Sequence, residues 1–176
     1  SQIKEKLEKG FSCLKLKIGS LNFEQELSIL KSIRNTYPAQ DLELRVDANG
    51  AFSLDGALSK LDQLAKLQLH SIEQPIKQGQ VEKMAYLCSK TPLAIALDEE
   101  LIGVLDEKRQ QELLSFINPQ YIILKPSMLG GFAASEGWIK DAENNKTQWW
   151  VTSALESNIG LNAIAKWTNN LNTENY

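Results

Sequence analysis

The sequence predicts an α/β fold of the (β/α)8-barrel type, and two observations favour it. Short strand-like segments alternate with stretches of helical periodicity along the 176 residues, a pattern typical of parallel strands joined by helical crossovers. Ionisable residues also stand at or next to the C-terminal ends of five successive strand-like segments, at intervals of 30, 26, 25 and 27 residues: Lys17, Asp47, Glu73, Asp98 and Lys125. Barrel enzymes place their chemistry at C-terminal strand ends. A doubly wound sheet concentrates its site at one switch point, usually after a glycine-rich turn, and the sequence has no GxGxxG motif.

The predicted elements follow from periodicity and from capping residues. Phe23, Leu27, Leu30 and Ile33 lie on one helical face after a capping residue, Asn22. The same reasoning along the chain predicts strands over residues 13–18, 42–47, 69–73, 93–98, 121–125 and 149–153. It predicts helices over residues 23–36, 54–67, 81–89, 106–116, 133–144 and 162–170, with a further helix within residues 1–10. No low-complexity linker divides the chain, so we expect one domain over residues 1–176.

Composition limits the classes of binding partner and the cellular compartment that we expect. The net charge of −3 gives no electrostatic reason to expect nucleic acid or an anionic membrane. The sequence contains no apolar run near the ~20 residues of a membrane span and no basic-then-apolar signal segment at its start. We therefore expect a cytoplasmic protein. Cys13 and Cys88 have no metal-ligand spacing and are expected to be reduced, buried thiols.

Three carboxylates at successive strand ends predict a metal site. Two unit charges ~4 Å apart repel by about 4 kcal/mol at an effective dielectric constant near 20. A hard divalent cation, Mg²⁺ first, would relieve that repulsion among Asp47, Glu73 and Asp98. Three solvated surface acids remain the alternative on spacing alone.

Lysines flank these acids. Side chains alternate faces along a strand, so Lys15 and Lys17 share the face opposite Leu14 and Leu16, and Lys125 follows from three strands further on. Burial and mutual repulsion lower the pKa of lysine side chains and favour a neutral amine that can act as a base. The alternative is that the Lys-x-Lys pair is the polar face of an edge strand.

Six segments carry a family resemblance. They are EKGFSCLKLKIG, LRVDANGAF, IEQP, IALDEEL, IILKPSMLGG and VTSALESNIGLNAIA. In this order they resemble the signatures of the Lys-x-Lys (muconate-lactonizing-like) subgroup of the enolase superfamily. The last two segments are most similar to those of o-succinylbenzoate synthases. The family has a capping domain ahead of its barrel, so we expect residues 1–176 to contain about strands 2 to 7 of eight, without that domain and incomplete at both ends.

The resemblance implies a role for each candidate residue. Asp47, Glu73 and Asp98 would bind Mg²⁺, with Mn²⁺ as a possible substitute. Lys17 would be the catalytic acid and base, and Lys125 and Lys15 would be the facing and the supporting lysine. The implied reaction is a syn dehydration by a carbon–oxygen lyase, which converts 2-succinyl-6-hydroxy-2,4-cyclohexadiene-1-carboxylate to o-succinylbenzoate on the route to menaquinone.

Two alternatives and a set of substrate contacts complete the expectations. A dipeptide epimerase or N-acylamino-acid racemase of the same superfamily would use Lys17 and Lys125 as two bases, and a non-catalytic barrel fragment would use neither. The substrate would be a small carboxylate. Five residues at strand ends are candidate contacts for it: Asn49, Gly130, Gly131, Ser153 and Ser157. A turn alone is the alternative explanation for Asn49, Gly130 and Gly131.

Overall fold

The computed structural model describes residues 2–171, which pack as two compact units divided between Ile95 and Ala96. The N-terminal unit alternates helices and strands up to that division. Its elements are α1 (Gln2–Glu8), β1 (Cys13–Lys17), α2 (Phe23–Thr36), β2 (Glu43–Asp47), α3 (Leu54–Ala65), β3 (Ser71–Glu73) and α4 (Val81–Lys90). Strand β1 pairs with β2 and β2 pairs with β3, both in parallel.

The C-terminal unit repeats the alternation. Strand β4 (Ile95–Leu97) spans the division between the units. The elements that follow are a 3₁₀ turn (Glu99–Leu101), α5 (Glu107–Ile117), β5 (Tyr121–Leu124), α6 (Pro126–Leu129), α7 (Phe132–Asn144), β6 (Gln148–Val151) and α8 (Asn158–Asn169). Strand β4 pairs with β5 and β5 pairs with β6, again in parallel. The parallel pairing confirms the predicted α/β class.

Each unit has its own apolar core. In the N-terminal unit, Leu44 and Val46 of β2 are fully buried together with Leu61 of α3. In the C-terminal unit, Ile122 of β5 and Trp138 of α7 are fully buried. In β2, Leu44 and Val46 lie on the aliphatic face that strand periodicity predicts, and Arg45 and Asp47 lie on the opposite face. In β5, Ile122, Ile123 and Leu124 are all buried, so both faces of that strand are apolar.

Capping residues set the helix boundaries. The Asn22 Oδ1 accepts the N–H of Glu24 at 2.9 Å, and α2 covers the predicted residues 23–36. Asp106 caps α5 in the same way, and Asn118 ends that helix in the left-handed conformation, with φ 50°. Helix α8 begins at Asn158, four residues before its predicted start. The sequence pattern does not show this first turn because Gly160, a residue of low helix propensity, lies in it.

One cysteine prediction is wrong. Cys88 is buried as predicted, but Cys13 is exposed, because parity places it on the same face of β1 as Lys15 and Lys17. The Cys13 thiol donates to Glu43 Oε1 at 3.2 Å. Neighbouring atoms exclude part of the water around its sulfur, and this desolvation together with the hydrogen bond raises the pKa of Cys13 to about 11. Both thiols are free among the described residues.

Between residues 2 and 171, no helix combines the length and the apolar character that crossing a bilayer requires.

Candidate active site at the strand ends

The strand register brings three of the predicted residues into one row. In the β1–β2 register Lys17 lies opposite Asp47, and in the β2–β3 register Asp47 lies opposite Glu73. The three are the last residues of their strands. Neighbouring residues in a parallel register point to the same face of the sheet. The N-terminal unit therefore presents two carboxylates and an ammonium group together at its C-terminal strand ends.

Two ion-pair contacts connect this row to Lys15. The Lys15 Nζ lies 2.5 Å from Glu73 Oε2 and 3.5 Å from Asp47 Oδ2. The Lys17 Nζ forms an ion pair with the same Asp47 oxygen. Both carboxyl side chains are buried, at 0% and 1% exposure, whereas the lysine side chains are 32% and 62% exposed. Buried carboxylates require compensating charge, and these two lysines supply it.

The pKa of Asp47 reflects these contacts. Burial alone would raise it, because burial disfavours the charged form. The hydrogen bond from Lys17, the Asn49 N–H that donates to Asp47 Oδ1 at 3.0 Å, and the charges of Lys15 and Lys17 outweigh burial and hold the pKa of Asp47 below its ordinary value. Asp47 is therefore a carboxylate at neutral pH, as a cation ligand must be.

Asn49 serves both the turn and the site. Its φ of 42° and the φ of 74° at Gly50 make the predicted turn after β2. Its Oδ1 also accepts a hydrogen bond from Lys17 Nζ at 2.7 Å. Asn49 thus has a polar contact with the candidate base, while its contact with substrate stays a prediction.

The C-terminal unit holds the remaining charged pair. Asp98 follows β4 directly, and Lys125 follows β5 as the residue that precedes α6. The Lys125 Nζ forms an ion pair with Asp98 Oδ2, and the two side chains are 17% and 2% exposed. This pair repeats the pattern of the N-terminal unit, in which each predicted metal ligand has a lysine partner.

The two predicted glycine contacts have a structural explanation. Gly130 and Gly131 have φ values of 95° and 96°, which favour glycine. Both N–H groups donate to the Pro126 carbonyl, which ends α6 and starts the chain towards α7. The turn therefore accounts for both glycines, and their contact with a substrate carboxylate stays a prediction.

The predicted serines surround a carboxylate after β6. Ser157 precedes α8, and Ser153 lines a cavity of about 380 Å³ with Leu161 and Ile164. Between the serines, Glu156 accepts a hydrogen bond from Ser127 Oγ at 2.5 Å, which lowers the pKa of Glu156. Sequence reasoning did not identify Ser127. Its position two residues after Lys125 was the available signal.

The carboxylates are compatible with a cation, although lysines are their partners here. Within residues 2–171, no three His, Cys, Asp or Glu side chains are grouped closely enough to hold a metal ion as they stand. Asp47 and Glu73 nevertheless offer buried, hard oxygen donors in adjacent strands, which is the chemistry that Mg²⁺ prefers. The predicted ligand set of Asp47, Glu73 and Asp98 stays a prediction.

Comparison with known proteins gives one family match and a set of relatives. The family model described as "Enolase C-terminal domain-like" matches residues 1–174. An o-succinylbenzoate synthase from Desulfotalea psychrophila is 56% identical over 167 residues, which are 95% of this chain and 45% of that protein. A hydrophobic dipeptide epimerase from Enterococcus faecalis is 33% identical over 102 residues, which are 58% of this chain and 28% of that protein.

Solved structures agree with the sequence matches. The crystal structure of MenC from Desulfotalea psychrophila superposes with a TM-score of 0.91 at 54% identity, over 96% of this chain and 46% of that chain. The chain therefore spans about half the length of the o-succinylbenzoate synthase from Desulfotalea psychrophila. The superposition confirms the prediction of a partial (β/α) barrel.

Proposed function

Because the chain belongs to the Enolase C-terminal domain-like family, we propose that it carries catalytic residues of an o-succinylbenzoate synthase. The observation that carries the proposal is the 56% identity with such an enzyme over 95% of the chain. The reaction removes water from 2-succinyl-6-hydroxy-2,4-cyclohexadiene-1-carboxylate and leaves an aromatic ring, which makes the protein a carbon–oxygen lyase of menaquinone biosynthesis. The substrate is a small carboxylate.

Lys17 is the acid and base of this proposal. It ends β1, and its side chain is more exposed than that of Lys15, at 62% against 32%. Lys17, as the neutral amine, takes the α proton, and the C–H electrons are first shared with the substrate carboxylate. They then form the new ring double bond as the C–O bond breaks. The hydroxyl then leaves as water with a proton from Lys17. Because the proton and the hydroxyl depart from the same face in a syn elimination, one correctly placed base suffices.

The other lysines have supporting roles. Lys15, held between Glu73 and Asp47, keeps positive charge beside the base and fixes the two carboxylates. Lys125, at the end of β5, supplies positive charge from the C-terminal unit and would stabilise negative charge on the substrate. Neither role requires proton transfer.

Asp47, Glu73 and Asp98 would hold Mg²⁺, or Mn²⁺ in its place. Their donor atoms are all carboxylate oxygens on buried side chains, which is the donor type that a hard divalent cation prefers. When bound, such a cation stabilises the negative charge that develops on a substrate carboxylate as its α proton leaves, an arrangement already established for the enolase superfamily. Asn49, Gly130, Gly131, Ser153 and Ser157 are the proposed substrate contacts.

Turnover by the complete protein tests the proposal. In D₂O with Mg²⁺, we expect it to convert the cyclohexadiene acid to the aromatic product, which is measured by its ultraviolet absorbance. We expect no rapid deuterium incorporation at the α carbon of dipeptides or N-acylamino acids. An epimerase needs a base on each face of the carbon and exchanges that proton. Rapid α exchange without aromatisation would reject the proposed function in favour of an epimerase.

A further inference from the structure

A buried glutamate closes the turn that follows the candidate base. Glu26, in the first turn of α2, is 6% exposed. Its Oε1 accepts three consecutive backbone N–H groups, from Gly19 at 2.7 Å, Ser20 at 3.0 Å and Leu21 at 2.9 Å. These are the residues that leave β1 two positions after Lys17. The carboxylate therefore fixes the backbone just beyond the catalytic strand end.

The three N–H groups of residues 19–21 favour a side chain that accepts hydrogen bonds and donates none. Three N–H groups that converge on one point form an anion-binding concavity, and an ionised carboxylate is the side chain that only accepts. The second oxygen, Oε2, is buried and accepts no hydrogen bond from the residues that the structure describes. A glutamine would place an NH₂ group either against three donors or in this buried position. Glu26 is thus suited to the turn by its charge as well as by its length.

Gly19 transmits this constraint to the neighbouring strand end. Its φ is 95°, and a Cβ atom there would overlap the Ala51 methyl group and lie 3.3 Å from the Ala48 carbonyl oxygen. The turn after β1 therefore packs directly on the turn after β2. That second turn carries Asn49, whose Oδ1 accepts from Lys17 Nζ at 2.7 Å. The turns after β1 and β2, which flank the Lys17 ammonium group, are therefore connected to Glu26 through a continuous series of contacts.

We propose that Glu26 is a positioning residue for Lys17, because it fixes the 19–21 turn and, through Gly19, the turn that carries Asn49. Its catalytic consequence rests on the proposed function. Its structural consequence, a fixed Lys17 ammonium group, does not.

The first test measures the turn itself. In the complete wild-type protein we expect the amides of Gly19, Ser20 and Leu21 to be protected from hydrogen exchange, because each donates to a buried carboxylate. Glu26→Gln should lose that protection. Glu24→Gln is the matched control, since Glu24 is an exposed acid in the same helical turn. Unprotected amides in the wild type would overturn the proposal, whether or not the Glu26 variant folds.

The second test measures the position of Lys17 without using turnover. Acetylation of Lys17 by an N-hydroxysuccinimide ester, quantified by mass spectrometry, should be severalfold faster in Glu26→Gln than in the wild type, because the contacts with Asp47 and Asn49 loosen. The rate should be unchanged in Glu24→Gln. An unchanged rate in Glu26→Gln, with the turn amides deprotected, would overturn the positioning role.

The third test measures catalysis. For the cyclohexadiene acid we expect kcat of Glu26→Gln to fall by about 10–10²-fold with KM little changed, because a small misplacement of a catalytic group costs rate before it costs binding. Glu24→Gln should retain the wild-type kcat. A kcat unchanged in Glu26→Gln would overturn the proposal. If the wild type itself does not turn over, the proposed function fails and the acetylation result decides the role of Glu26.

Discussion

The ion pairs that the charged side chains form determine which of them lie at the C-terminal strand ends. Lys15 and Arg45 lie opposite each other in the β1–β2 register, so two cations occupy neighbouring positions on one face. They are separated by their partners, because Arg45 Nε donates to Glu43 Oε1 at 2.7 Å while Lys15 turns to Glu73. Arg45 is thereby drawn towards the N-terminal end of the strands. The C-terminal end is left to the two lysines and two carboxylates.

Removal of Lys17 should separate catalysis from metal binding. In the complete protein, Lys17→Ala should lower the rate of aromatisation by about 10²–10⁴-fold, the usual contribution of a general acid–base group. Mg²⁺ affinity, measured by calorimetry, should not weaken, because Lys17 pairs with Asp47 without being a ligand. Lys31→Ala, an exposed change on α2, is the control. Near-normal turnover of the Lys17 variant would remove Lys17 from the mechanism.

Between elements, the turns after β2 and β3 are joined by backbone contacts. The Gly50 N–H donates to the Gln74 carbonyl at 2.7 Å, and the Phe52 N–H donates to the Pro75 carbonyl at 3.0 Å. A Cβ atom on Gly50 would lie 2.8 Å from Lys77 Cα. The turn that carries Asn49 therefore has a close backbone neighbour on each side, from the turn after β1 and from the turn after β3.

Gly50→Ala should lower the free energy of unfolding by more than the left-handed backbone conformation at this position alone explains. Gly79 is the matched control, because its φ of 80° resembles the 74° of Gly50 while a Cβ on Gly79 meets nothing within 4 Å. Gly79→Ala should lower the free energy of unfolding by about 1–2 kcal/mol, the cost of a left-handed non-glycine residue. Gly50→Ala should lower it by about 1–3 kcal/mol more, as forced overpacking does.

Urea unfolding of the two variants of the complete protein measures the difference. Equal losses for Gly50→Ala and Gly79→Ala would show that the turns after β2 and β3 do not lie in close contact.

At the scale of the whole molecule, the spacing of charged residues was enough to predict the architecture. The side-chain contacts could not be predicted in the same way. Charged residues one βα unit apart predicted parallel strands with polar C-terminal ends, and the register of Lys17, Asp47 and Glu73 agrees. The choice by Lys15 of Glu73 over Asp47 as its nearer partner could not be predicted, because both carboxylates are within its reach. Helix α6 is too short to show a period, and the bonds of Glu26 to the 19–21 turn depend on a loop conformation that no periodicity encodes.

The most direct test of the proposed site is a crystal structure of the complete protein with Mg²⁺ and o-succinylbenzoate. We expect one octahedral ion with oxygens of Asp47, Glu73 and Asp98 at about 2.0–2.2 Å. We also expect Lys17 Nζ to leave Asp47 and face the ring carbon that loses its proton, with Lys125 against the product. An ion bound elsewhere, or the carboxyl groups of Asp47, Glu73 and Asp98 directed to different faces of the molecule, would rule out the proposed metal site.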